Sequence, residues 1–140
     1  MAYEWDSLLE SGHELIDSQH KQLLDALKRL MESYHSEAGK DEVTRAVEFL
    51  LTYTAKHFND EEALQIQYQY PDYLRHRQIH NEFKQVAIKL AERLKSDGAS
   101  LSLLAEVHSS IGDWFINHIM GDDFRMAAFI KSRTTPQAGN

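Results

Sequence analysis
Apolar residues recur along this chain at three- and four-residue spacing, the repeat of one face of an α-helix, in four separate stretches. The first runs from about Asp17 to Glu37 with His20, Leu23, Leu24, Leu27, Leu30, Met31 and Tyr34 on one face. Asp17 is placed to cap its start and Gly39 to close its end. The second runs from about Asp41 to Tyr68 and keeps Val43, Val47, Leu50, Thr54, His57, Glu61 and Leu64 in register, with Pro71 breaking the pattern behind it. The third, from about Tyr73 to Lys95, aligns His76, His80, Phe83, Ala87, Leu90 and Leu94 ahead of the turn SDGAS at 96–100. The fourth begins at Ser100 or Leu101 and reaches about Met120, aligning Leu104, Val107, Ile111, Trp114, Phe115 and His118.

Four helices with short connections predict an all-α protein, an antiparallel up-down-up-down four-helix bundle. An N-terminal arm, 1–16, precedes it and holds Trp5, Leu8 and Leu9; a short C-terminal helix is expected from the apolar run FRMAAFI at 124–130. The expected domain covers 1–131, leaving 132–140 as a flexible tail. A length of 140 residues suits one core, and two prolines and six glycines favour helices over a turn-rich sandwich.

The formal charge of -7 makes a phosphate backbone an unfavourable partner, so no nucleic acid is expected. No apolar run approaches the ~20 residues that span a bilayer, so no membrane insertion is expected. The N-terminal stretch lacks a basic n-region and an apolar h-region, which points to a cytoplasmic location. With no cysteine, disulfides, zinc–thiolate sites and iron–sulfur clusters are excluded, and any metal must take nitrogen and oxygen ligands.

The apolar stripes also carry polar residues. His20, His57, Glu61, His76, His80 and His118 all fall within the apolar stripes. A buried polar group without a partner costs roughly 1–3 kcal/mol, and six would exhaust the ~5–15 kcal/mol of a small domain. In an antiparallel bundle the starts of helices one and three lie beside the ends of helices two and four, so all six converge at one end. His57/Glu61 and His76/His80 are each four residues apart, on one helix face. Five imidazoles and a carboxylate exceed a four-coordinate zinc site and suggest two octahedral ions, iron being the leading candidate. A second carboxylate lies four or five residues beyond His118, at Asp122 or Asp123. On an ideal helix +4 is the natural choice; a distortion at Gly121 would favour +5. Spacing leaves both open.

The runs IDSQHKQLL at 16–24, HFNDEE at 57–62, HRQIH at 76–80 and WFINHIMGDD at 114–123 resemble, in order, those of the hemerythrins, the single-domain bacterial ones in particular, over roughly residues 5–130. The resemblance implies two iron ions per chain. His76, His80 and His118 would hold one and His20 and His57 the other, with Glu61 and Asp123 bridging both; Asp122 is the fallback. An oxo or hydroxo group would be the third bridge. Six ligands then saturate the first ion, and five leave the second an open position, where dioxygen would bind as ligand. The implied function is reversible dioxygen binding for storage, delivery or scavenging.

Leu23, Phe58, Trp114, Phe115 and Ile119 lie within a turn of these positions and are the candidate wall of an oxygen pocket. Beyond the ligands no general acid or base is evident in the stripes, so a binding protein rather than an enzyme is expected, weak oxidase or peroxidase activity aside. The competing readings are oxygen, redox or nitric oxide sensing through a partner, and small-oxidant turnover at the open iron. No protein partner is indicated by the sequence. His13, His35 and His108 are expected to be structural or solvated, Glu62 solvated, Tyr68, Tyr70 and Tyr73 to cover the loop at Pro71, and Trp5 to be a hydrophobic anchor or a cover for the metal end.

Overall fold
The computed structural model describes residues 3–32, 40–98 and 100–134, and the side chains of all of these but 40–42. The regular structure among the described residues is all helical, with no strand. A 3-10 turn at Ser7–Leu9 precedes helix α1, Glu14–Glu32; α2 is Lys40–Gln67 and α3 is Tyr73–Asp97. A fourth helical run follows in five contiguous pieces: α4 Leu101–Val107, a π-helical segment His108–Asp113, α5 Trp114–His118, a second π segment Ile119–Asp123, and α6 Phe124–Thr134. Helix α2 packs against α1 and α3, and α3 against α4. The architecture is a four-helix bundle. Tyr34, His35, Glu37 and Gly39, with the expected end of the first helix, lie outside the described residues, as does the tail from 135.

Helix boundaries follow local chemistry. Helix α1 starts three residues before the expected cap. Asp17 caps the approach to it instead, accepting from Ser11 N at 2.9 Å, Ser11 Oγ at 2.8 Å and Gly12 N at 3.3 Å. Gly98 (φ 78) ends α3 in the left-handed region, its N–H donating to Leu94 O at 3.0 Å. Ser100 Oγ accepts from Leu103 N at 3.0 Å and starts α4. The fourth run does not end near Met120: Gly121 stays inside the second π segment, and helix continues through the expected start of the tail to Thr134.

Among the described residues two apolar clusters form the interior. The larger fills the bundle from Leu24, Leu27 and Leu30 of α1 to Leu103, Leu104 and Val107 of α4. The smaller unites Ile16 at the start of α1 with Met126, Ala127 and Ile130 of α6, and Leu64, Tyr68 and Tyr70 pack against it. The polar residues of the stripes lie between these clusters. Trp5 packs on the larger cluster with the Lys21 ammonium 5.1 Å over its ring, a hydrophobic anchor for the arm. Tyr3 seats its hydroxyl against His108 Nδ1, and its ring fills the notch beside Gly112.

Candidate metal centre
Each element brings its residues to the same level of the bundle. His20 comes from α1, His57 and Glu61 from α2, His76 and His80 from α3, His118 from α5 and Asp123 from the second π segment. All seven are buried, with side chains at most 4% exposed. They form two overlapping groups suited to a metal ion, one of Glu61, His76, His80, His118 and Asp123, the other of His20, His57, Glu61 and Asp123. Asp123 enters because of the π segment. A π turn closes i→i+5, so the residue five after His118, rather than four, returns to the inner face. Asp122 points outward: it lies 3.2 Å from Nδ1 of His118 and accepts from Arg75 at 3.0 Å and from Arg125.

The two carboxylates divide their oxygens between the two groups. Glu61 Oε2 lies 3.0 Å from His57 Nε2 and 3.5 Å from His20 Nε2, while Oε1 lies 3.2 Å from His80 Nε2 and 3.6 Å from His76 Nε2. Asp123 Oδ2 lies 2.9 Å from His20 Nε2, while Oδ1 lies 3.1 Å from the Nε2 atoms of both His76 and His118. His118 Nε2 is 3.2 Å from those of His76 and His80. Adjacent ligands around an ion with bonds of ~2.1 Å lie about 3 Å apart, so this spacing is that of a shared coordination sphere.

Hydrogen bonding behind the rings decides where their protons sit. Gln19 Nε2 donates to Asp60 Oδ2 at 2.6 Å, which turns the Gln19 carbonyl toward His57 Nδ1 at 2.7 Å. His57 Nδ1 must therefore carry the proton, and Nε2 presents a lone pair to Glu61. His80 Nδ1 likewise donates to Glu62 Oε2 at 3.1 Å, aiming its Nε2 lone pair at Glu61. Lone pairs facing a carboxylate at 3.0 Å are repulsive unless a cation lies between them. His57 Nε2, both Glu61 oxygens and Asp123 Oδ1 have no hydrogen-bond partner. A buried centre with orphaned acceptors and outward-anchored imidazoles fits metal ions.

The electrostatics agree. Burial alone would lower the pKa of His20, but the Asp123 and Glu61 carboxylates beside it outweigh that and raise it to about 9. His76 rises to about 9 against its burial for the same reason. His118, opposed by burial and pulled up by Asp123 and Asp122, rises to about 10. Burial opposes ionisation of Glu61 and Asp123, yet the surrounding imidazoles hold both well below the usual carboxylate range. The site favours positive charge, supplied by protons when no ion is bound.

The apolar candidates surround this centre unequally. Leu23, Phe58, Phe115 and Ile119 are buried and Trp114 is half-buried. Phe58 stacks on His80 (centroids 3.8 Å, 4° between planes) and Trp114 on His118 (4.5 Å, 13°), while Phe115 meets His20 edge-on at 5.8 Å. Phe58 and Trp114 thus buttress the three-histidine group, and Phe115 faces the other. Glu62, expected to be solvated, is hydrogen-bonded to His80. Gln19, Asp60 and Glu62 had one signal in sequence, adjacency to residues of the stripe. The apolar run in α6 had no assigned role until its packing over Ile16 and Leu64 closed this end of the bundle. His13 is structural, Nδ1 accepting from Ile16 N at 3.4 Å.

Fold and centre together define a four-helix bundle whose buried His/Glu/Asp cluster could hold metal, with Glu61 and Asp123 common to its two groups. Residues 11–130 match the family model of the hemerythrin HHE cation binding domain. Myohemerythrin of Theromyzon tessulatum is 30% identical over 123 residues, 88% of this chain and 89% of that protein. Bacteriohemerythrin of Stenotrophomonas maltophilia is 28% identical over 128 residues, 91% of this chain and 81% of that one. The crystal structure of a hemerythrin point mutant superposes with a TM-score of 0.77 at 22% identity, over 93% of this chain and 98% of that one. This chain belongs to the hemerythrin family, a family of non-haem iron proteins. Among the described residues no helix is long and apolar enough to cross a membrane.

Proposed function
We propose that this protein binds dioxygen reversibly at a pair of iron ions, as an oxygen-binding protein rather than an enzyme. The observation that carries the reading is the division of Glu61 and Asp123 between two histidine groups of unequal size. His76, His80 and His118 would hold one iron and His20 and His57 the other, with Glu61, Asp123 and an oxo or hydroxo group shared. When bound, the iron pair supplies the electrons and the open coordination position that hold dioxygen.

The chain's own residues do the rest. Gln19 and Glu62 fix His57 and His80 with Nε2 inward, so the donor set is ready before an ion arrives. Neutral imidazoles outnumber carboxylates, which favours the lower iron oxidation states needed for release. Phe115, Leu23 and Ile119 would exclude water from the two-histidine side, while Phe58 and Trp114 fix the opposite rings. Packing of Met126, Ala127 and Ile130 of α6 over Ile16 excludes water from the end of the bundle.

The test is to reduce the iron-loaded protein without oxygen, add oxygen, then flush with argon while recording the visible spectrum. A charge-transfer band that develops with oxygen and vanishes under argon, at two irons per chain, is the expected result. One-way conversion to the ferric state at the same stoichiometry would replace carriage with sensing or oxidant turnover.

A further inference from the structure
The bundle interior contains a cavity of about 20 Å³ that the centre does not use. Its near wall is Thr54, Phe83 and Ile111, and its far wall reaches Leu30 and Leu94. Ala87 and Ala91 of α3 are the small side chains on its wall. A void holds one water at ~10–15 Å³, but that water needs two to four polar partners. Among the described residues Thr54 supplies the one polar side chain in this wall, so the cavity is dry and suited to a small apolar molecule.

Position gives it meaning. Thr54 is three residues before His57 on α2, and Phe83 three after His80 on α3, so the near wall lies about one helical turn, ~5.4 Å, from the centre. Phe83 meets Phe58 edge-on at 5.8 Å, and Phe58 stacks on His80 and lies 6.0 Å from the ring of His57, so the wall continues as aromatic rings to the two-histidine side of the centre as well. Leu51, half-buried, brings the other side of the cavity toward the surface.

We propose that this cavity is a docking site for one small apolar diatomic molecule, dioxygen, one turn from the buried cluster and on its way to or from it. The dioxygen assignment rests on the function proposed above; the gas site itself does not.

Crystals of the iron-loaded protein under xenon pressure test the site directly. One anomalous peak bounded by Thr54, Phe83 and Ala87 is expected, and its absence overturns the proposal. Stopped-flow mixing of the ferrous protein with oxygen tests the route. Filling the cavity by Ala87→Leu, or by the smaller Ala91→Val should the first fail to fold, is expected to slow the reaction several-fold. In the unaltered protein, xenon pressure should slow it too. Where oxygen binding is reversible, association and dissociation should slow together and leave affinity unchanged. A folded, iron-loaded Ala87→Leu protein reacting at the original rate, with xenon without effect, overturns the route. A xenon peak with slowed but irreversible oxidation upholds the gas site and rejects reversible carriage.

Discussion

Asp122 and Asp123 are neighbours in sequence with opposite duties. Asp123 lies between the two histidine groups, while Asp122 sits behind His118 and ties it to Arg75 and Arg125. Asp123→Asn should therefore leave less than the full complement of iron, whereas Asp122→Asn should keep both ions and weaken metal affinity ~10–100-fold. Competition with a chelator, followed by iron assay, separates the two. Equal loss in both variants would contradict the division. The raised histidines set a pH dependence in the metal-free protein. His20, His76 and His118 have folded-state pKa values of about 9, 9 and 10, above the ordinary 6.5. The stability they contribute is complete below 6.5 and lost as pH rises through 9–10. Glu61 and Asp123, held low, contribute above their ordinary 4.5 and 3.8 and lose that contribution in acid. Metal-free protein should thus show a melting temperature that falls steadily from about pH 6.5 to 10. Iron-loaded protein, with neutral imidazoles as ligands, should lack that decline. Spacing and antiparallel topology were enough to bring the five histidines and Glu61 together. The roles of the outer partners Gln19 and Glu62 were not legible beyond their adjacency to the stripe, because hydrogen bonds behind a ring leave no periodic trace.

At the scale of elements, the π segments explain what helical spacing left undecided. The α-helical repeat treats +4 as the inward position after His118, so it cannot choose Asp123 over Asp122. It also takes Gly121 for an end, although the helix runs through it. The first π segment has a different use. Gly112 lies in it, and a Cβ there would collide with the Tyr3 ring, a rigid body that cannot yield as a long flexible side chain would. Gly112→Ala should displace the arm and destabilise the protein by about 1–3 kcal/mol, the usual effect of overpacking. Faster hydrogen exchange in residues 3–9, with the centre unaffected, is the expected signature. Unchanged exchange would mean that Tyr3 is not held by this notch. The contact was not legible because an arm lacks the periodicity that places helices.

For the whole molecule, the centre is a polar layer between two apolar clusters, and its stability depends on what fills it. An ion that binds only the folded state stabilises it by about 4 kcal/mol at a thousand times its dissociation constant. For a domain of this size, losing one such ion should lower the melting temperature by roughly 10–15 °C, and chelation of both by more. A smaller, iron-independent change would show that protons satisfy the layer as well as metal does. The bundle was legible because four amphipathic stripes of similar length have few ways to bury one another. The seal made by α6 was not, since a seven-residue apolar run does not say what it covers. The proposed centre holds two ions shared by Glu61 and Asp123. An anomalous difference map at the iron edge, from crystals of protein reconstituted without oxygen, tests it most directly. Two peaks are predicted, one beside His76, His80 and His118 and one beside His20 and His57, both within bonding distance of Glu61 and Asp123. A single peak, or none at full iron supply, would contradict it.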